Sequence, residues 1–283
     1  MSRKDEASVN IGNSLLEEGD FEEISTFEGR PVYKGHGFLM YEMDDLHLHL
    51  DGVDSLIRRH FDMNLPGTIP DRPEGDTPLD LLVFLSKHSS GAGIESLTVH
   101  PPGNLSEAEH GGRSRYLPPS APLHMAAALR SLYREKKAEG IRDRVSMEVT
   151  HHGPAVDSPS FFIEIGSSPG RWSDPLLGRV VARSLLSGEI LAPDPSTPIA
   201  VGIGGGHYAP RFSDRALRGK FAFGHMVPDH VMEASGDIRG PLDLSVGATP
   251  GVTCVFAHRS LKNADLLRDL DEIVSSLGLE LVP

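Results

Sequence analysis

Residues 146–166 read SMEVTHHGPAVDSPSFFIEIG. Two β-type runs stand close together here, parted by a Gly-Pro turn. In the first, Val145, Met147, Val149 and His151 share one face, while Glu148, Thr150 and His152 share the other. In the second, Phe161, Ile163 and Ile165 face one side and Phe162 and Glu164 the other.

Outward from this pair, apolar runs predict further strands at 38–43, 46–48, 79–85, 96–100, 199–203, 221–223, 252–256 and 279–282. Between them, helical periodicity covers 7–18, 53–61, 120–138, 173–186 and 261–277. Residues 64–78 hold four prolines and read as a surface loop. Strands alternating with helices predict an α/β fold, with a mixed, mostly parallel sheet flanked by helices. No linker divides the chain, so a single domain over 1–283 is expected.

Composition narrows the function. The 283 residues carry a net charge of −13, which argues against nucleic-acid binding through bulk charge. A local basic surface from Lys87, Arg113, Arg115, Arg211, Arg215, Arg218 and Lys220 remains compatible with it. The one cysteine, Cys254, excludes an internal disulfide, suits a reducing cytosol and reads as a buried, inert thiol. No apolar run is long enough to span a bilayer, and MSRKDEASVN has no apolar signal core.

Six histidines (His88, His100, His151, His152, His207 and His225) fall in or just beyond predicted strands. In an open parallel sheet such positions converge at the carboxyl ends of strands. A lone histidine is usually a satisfied structural residue; the shared placement singles out the set. Imidazole and carboxylate together suit zinc, and Glu148 and Glu164 are the candidate carboxylates. On an unbroken strand Glu148 and His152 lie roughly 13 Å apart, too far to share an ion. His151 and His152 point oppositely unless the strand ends between them. Neither HExxH nor CxxC is present. The bland alternative is a set of imidazoles bonded to one another and to carbonyls.

Two short motifs read weakly. GSSPG, residues 166–170, matches G-x-S-x-G, but Pro169 after Ser168 has no N–H for an oxyanion. GIGGGHYAPR, residues 202–211, lacks the third glycine of a dinucleotide loop and the Lys-Ser/Thr of a P-loop. Pro210 argues against a helix directly after it. The stretch is either a tight turn or a substrate cradle of Gly204, Gly205 and Gly206. In the latter case His207 stands at its rim and Arg211 near phosphate.

Taken together, SKHSSGAGIESLTVHPPGN, EVTHHGP, SFFIEIGSS, VGIGGGHYAPRFSDRAL and FAFGHMVP resemble the archaeal and plant type of D-aminoacyl-tRNA deacylase. The likeness runs in order from about Ser2 to LGLELV. It implies a cytosolic, generally monomeric hydrolase that frees D-amino acids from the tRNA 3′ acceptor end. It also implies zinc, with two ions per subunit, and a fold related to peptidyl-tRNA hydrolase and nucleoside phosphorylase.

Matching strings carry over His88, His100, Asn104, His151, His152, Glu164, His207 and Tyr208, with His225 a lesser candidate. By inference from their chemistry and placement, His151, His207 and Glu164 are expected in catalysis. Gly204, Gly205, Gly206, Tyr208, His100, Asn104 and Arg211 are expected at the substrate, and His88, His152 and His225 at metal. The expected chemistry is metal-assisted water attack, with Gly204 to Gly206 N–H groups on the oxyanion. A nucleoside phosphorylase-like enzyme and a non-catalytic tRNA-end binder are the alternatives. Family members usually have a hydrophobic strand ahead of the segment matching SRKDEAS where this chain has Met1, so the resemblance implies either a shortened strand there or a misassigned start.

Overall fold

The structure is a computed structural model and describes residues 1–64 and 79–283. The proline-rich segment lies almost wholly outside the described residues. In chain order the first elements are α1 (Glu6–Glu18), β1 (Glu22–Phe27), β2 (Arg30–Gly35), β3 (Phe38–Tyr41) and α2 (Val53–Asn64). Next come β4 (Leu82–Ser89), β5 (Ser96–His100), α3 (Pro122–Ala138), β6 (Arg144–Met147) and β7 (Ser160–Ser167). These are followed by α4 (Pro169–Trp172), α5 (Pro175–Leu186), β8 (Ile199–Ile203), α6 (Pro210–Leu217) and β9 (Ala222–Val227). The last are α7 (Asp229–Ser235), α8 (Arg239–Gly247), β10 (Cys254–Ala257), α9 (Ala264–Ser276) and β11 (Glu280–Val282).

The α/β reading holds, but the strands divide among three sheets. One is mixed, in the order β4-β7-β5-β6, and one is parallel, in the order β11-β10-β8-β9. The third, β1-β2-β3, is antiparallel. Residues 46–48, expected as a strand, instead enter a single 3-10 turn at His47–His49. Among the described residues no helix is long and apolar enough to cross a membrane.

The alternation in β7 sets the layering. Phe161, Ile163 and Ile165 pack into a core with Met125, Leu129 and Leu132 of α3 and Leu177, Val180 and Val181 of α5. Each such side chain contributes about 1.5–3 kcal/mol by leaving water. On the opposite face Phe162 stacks on Phe84 at 4.7 Å between centroids. Glu164 lies on that second face, one pleat further along.

Caps lock the helices to the sheet. Asp5 accepts the Ser8 N–H at 3.0 Å and so starts α1. Its other oxygen accepts the Ser86 hydroxyl at 3.1 Å and the Lys87 N–H at 3.0 Å, both from β4. Met1, where the expected strand would be shortened, lies beside β3, with Ser2 making a parallel bridge to Met43.

The two four-stranded sheets meet where β6 stops. Beyond Met147 the Val149 N–H donates to His207 O at 3.0 Å and the Ala209 N–H to Met147 O at 3.1 Å. The Thr150 N–H donates to Met226 O of β9 at 3.2 Å. The segment after β6 therefore stitches one sheet to the glycine loop and next strand of the other.

Pro210 does not block a helix. It occupies the first position of α6, where its missing N–H has no bond to lose and its fixed φ suits the turn. The expectation drawn from Pro210 is thus overturned.

Candidate active site

Strand direction decides how the histidines meet. β4 and β7 are parallel, whereas β5 is antiparallel to β7. His88 therefore lies level with Gly166 and Ser96, His100 with Phe162, and Glu164 between them, level with Ser86 and Thr98. The histidines converge on Glu164 over a sheet face, not at a shared carboxyl edge. Gly166 makes room: a Cβ there would stand 2.9 Å from His88 Cδ2 and 2.9 Å from Ser96 Oγ.

Because β6 ends at Met147, Glu148 and the two histidines after it are free of strand alternation. His152 adopts a φ of 45°, and its ring centroid lies 4.4 Å from that of His151. Both rings contact His100, at 4.1 Å for His151 and 4.9 Å for His152.

Glu148 is the hub. It is fully buried, with Oε1 3.2 Å from His88 Nδ1 and Oε2 3.1 Å from His207 Nε2 and 3.6 Å from His151 Nε2. Glu164, also buried, lies 3.5 Å from His100 Nε2 and 3.7 Å from His88 Nδ1. Burial opposes the charge on both carboxylates, yet the imidazoles win. His207 and His88 hold Glu148, and His100 and His88 hold Glu164, below the usual carboxylate range. Burial likewise opposes charge on His88, but Glu148 and Glu164 raise it to about 11. Two buried carboxylates need positive charge beside them. Protonated His88 supplies part of it, and a metal cation would supply it as well.

Hydrogen bonds fix the tautomers of three rings. Nδ1 of His100, His151 and His152 lies 3.2, 2.8 and 2.7 Å from the carbonyls of Pro101, Val149 and Gly153. A carbonyl only accepts, so each Nδ1 carries a proton. Nε2 is left for a ligand on His151 and His152, both held below the ordinary imidazole range by burial and then by His100, His152 to about 4. His151 Nε2 thus faces Glu148 Oε2, acceptor against acceptor. Nε2 of His100 and both oxygens of Glu148 are buried with no partner at hydrogen-bond geometry.

Among the described residues, three groups bring potential ligand atoms within 4.8 Å of one another: His100–His151–His152, His88–Glu148–His207 and His100–Glu148–Glu164. Nitrogen and carboxylate donors with orphaned buried acceptors fit a divalent cation.

Within this cluster the His207 and His151 side chains are 41% and 27% exposed, and His152 and Tyr208 are also partly exposed. Two described cavities, of about 550 and 640 Å³, are lined without any cluster residue.

The family-wide sequence profile described as D-aminoacyl-tRNA deacylase matches residues 76–282 of the chain. The chain belongs to the D-aminoacyl-tRNA deacylase family. It is 32% identical to the D-aminoacyl-tRNA deacylase of Methanosarcina acetivorans, over 99% of this chain and 90% of that one. The Pyrococcus abyssi protein of the same name is 33% identical over 84% of this chain and 82% of its own length. A crystal structure of a conserved protein of unknown function superimposes with a TM-score of 0.82. It is 29% identical and covers 99% of this chain and 92% of that one.

Against the deacylase strings, the structure gathers His88, His100, His151, His152, Glu164, His207 and Tyr208 at one place. Tyr208 joins through its hydroxyl, 2.9 Å from His88 Nε2. Six residues fall elsewhere or are otherwise engaged. His225 is mid-strand and fully buried. Its Nδ1 is 3.1 Å from Thr150 Oγ1 and its Nε2 2.8 Å from Pro118 O, so neither nitrogen is left for metal. Asn104 donates to Gly111 O and Arg113 O, holding its own loop. The N–H groups of Gly204 and Gly205 donate to Val227 O at 2.8 Å and Ser260 Oγ at 3.0 Å. They are therefore not available to an oxyanion. Gly206 is exposed, with nothing within 4 Å of where a Cβ would lie. Arg211 donates to Ala257 O at 3.0 Å, at the end of β10 and apart from the imidazole cluster.

Proposed function

We propose that this chain hydrolyses the ester joining a D-amino acid to the 3′-terminal adenosine of tRNA, with His207 as the base. The carrying observation is a solvent-facing imidazole backed at 3.1 Å by a fully buried carboxylate, in a chain of the deacylase family. With the proton on Nε2, the nitrogen nearest Glu148 Oε2, His207 presents Nδ1 as a proton acceptor. Water gives that nitrogen its proton as its oxygen attacks the ester carbonyl. Glu148 stabilises the imidazolium that forms. The tetrahedral adduct collapses, the carbonyl re-forms, and the departing ribose oxygen takes the proton back from His207. Tyr208 accepts from His88 Nε2–H, which leaves its own O–H to donate to the carbonyl oxygen as charge develops there.

Zinc suits the His100–His151–His152 group, whose tautomers the three carbonyls fix, with Glu148 and Glu164 beside it. A zinc ion held there would act as a Lewis acid at the ester or the attacking water. His88, Glu148 and His207 are assigned to proton handling. Metal analysis tests this division, because a second ion per chain would return His207 to the ligand set. The same reading makes tRNA the partner and the cytosol the place of action, with the chain acting as a monomer.

A phosphorylase-like reading is less well supported, since the loop N–H groups that would cradle phosphate are engaged by Val227 and Ser260. Release of free amino acid from D-aminoacyl-tRNA in phosphate-free buffer tests the choice. It is expected from the native chain and lost in His207→Ala. A native chain that binds tRNA without turnover would instead be an end-binding protein.

A further inference from the structure

We infer that Arg211, Arg215 and Arg259 form a docking point for the phosphate backbone of the tRNA acceptor strand. This rests on the deacylase reading. Arg211 and Arg215 stand one turn apart on α6, which begins three residues after His207. Arg259 follows β10, in the loop whose His258 N–H donates to Ile203 O and whose Ser260 holds Gly205. All three thus lie by the carboxyl ends of β8 and β10, on the rim of the glycine loop that carries His207.

The three charges crowd one another. The guanidinium carbons of Arg211 and Arg215 lie 4.9 and 5.8 Å from the centre of one ring, Phe256. Burial, then Arg259 and Arg215, pull the Arg211 pKa down. Among the described residues none of the three enters an ion pair, although the chain has 40 acidic residues against 27 basic ones. Arg218, on the same helix, shows the usual outcome, pairing with Asp214 at 2.8 Å. Asp229 on this rim accepts from Ser260 Oγ at 3.0 Å rather than from an arginine.

Unpaired, mutually repelling guanidinium groups on an acidic chain suit a polyanion that arrives from outside. Their spread over a helical turn and a neighbouring loop suits successive phosphates better than one small anion. RNA bound here places its terminal adenosine toward His207.

The test compares Arg215→Gln, Arg259→Gln and the double variant with the native chain on D-aminoacyl-tRNA across salt concentrations. KM should rise about three- to tenfold per substitution with kcat within twofold. The slope of log(kcat/KM) against log salt should flatten by about 0.7 per lost contact. Arg215→Lys and Arg259→Lys should keep most of the slope, which guards against a folding defect. Unchanged KM and slope in the double variant would overturn the inference. Hydrolysis of D-aminoacyl-adenosine by the native chain separates the two readings. Turnover there leaves the deacylase reading intact whatever the arginines do, and no turnover on either substrate overturns both.

Discussion

His207 Nε2 lies 3.1 Å from Oε2 of Glu148, a carboxylate with no solvent exposure of its own. That carboxylate also faces His88 and His151, so one buried charge organises three imidazoles. Glu148→Gln keeps the shape and removes the charge. We expect kcat to fall by about 10²-fold or more with KM nearly unchanged, measured on D-aminoacyl-tRNA under saturating conditions. An unchanged kcat would remove Glu148 from the reaction.

His207 and His225 occupy similar positions in their sequence strings but opposite ones in the structure. His207→Ala should lower kcat by about 10²–10⁴-fold. His225→Gln should destabilise the fold and leave kcat of the folded enzyme within a few-fold. Parallel steady-state kinetics and urea melts distinguish the two.

Much of the frame was legible because it rests on local patterning. The runs 96–100 and 199–203 are strands with those bounds, and the alternation of FFIEIG separates core from site face as read. Three things escaped for physical reasons. His225 looked like a strand-end residue because FGH precedes MVP, but β9 continues to Val227 and buries it. The direction of β5 is a pairing property, so sequence could not show that His88 and His100 approach Glu164 from opposite strand ends. The β1–β2 hairpin, Glu22–Gly35, is rich in charge and only partly buried, which hides its alternation. Glu148 was visible as a candidate ligand. Its central place depends on β6 stopping one residue before it, which its apolar neighbours Val145, Met147 and Val149 do not signal.

Burial holds the His225 pKa at about 4, below 6.5 for the free side chain. Between those values the unfolded chain binds more protons than the folded one. Stability therefore falls as pH drops from 6.5 toward 4, by up to about 3 kcal/mol from this residue. Urea midpoints measured across that window should decline in the native chain and decline less steeply in His225→Gln. Equal slopes would show that His225 is not buried in its neutral form.

The His100–His151–His152 group predicts dependence on a divalent cation. Exhaustive chelation should abolish turnover, and added zinc should restore it. His152→Ala should lower bound zinc per chain as measured by elemental analysis, even where the fold is retained by circular dichroism. Full activity after chelation would leave a purely histidine-driven hydrolase.

Gly166 lies under His88, where a Cβ would come within 2.9 Å of the ring. Gly166→Ala should push His88 from Glu148 and Glu164 and lower kcat by about tenfold or more. The imidazole resonance of His88, raised to a pKa of about 11 in the native chain, should then titrate at lower pH by NMR.

The most direct test is the initial rate of hydrolysis of D-tyrosyl-tRNA and L-tyrosyl-tRNA by the same preparation, with His207→Ala alongside. The account predicts rapid release of D-tyrosine, little release of L-tyrosine, and loss of the D-specific rate in the variant. Equal rates on the two enantiomers, or a His207→Ala rate equal to that of the native chain, would contradict it.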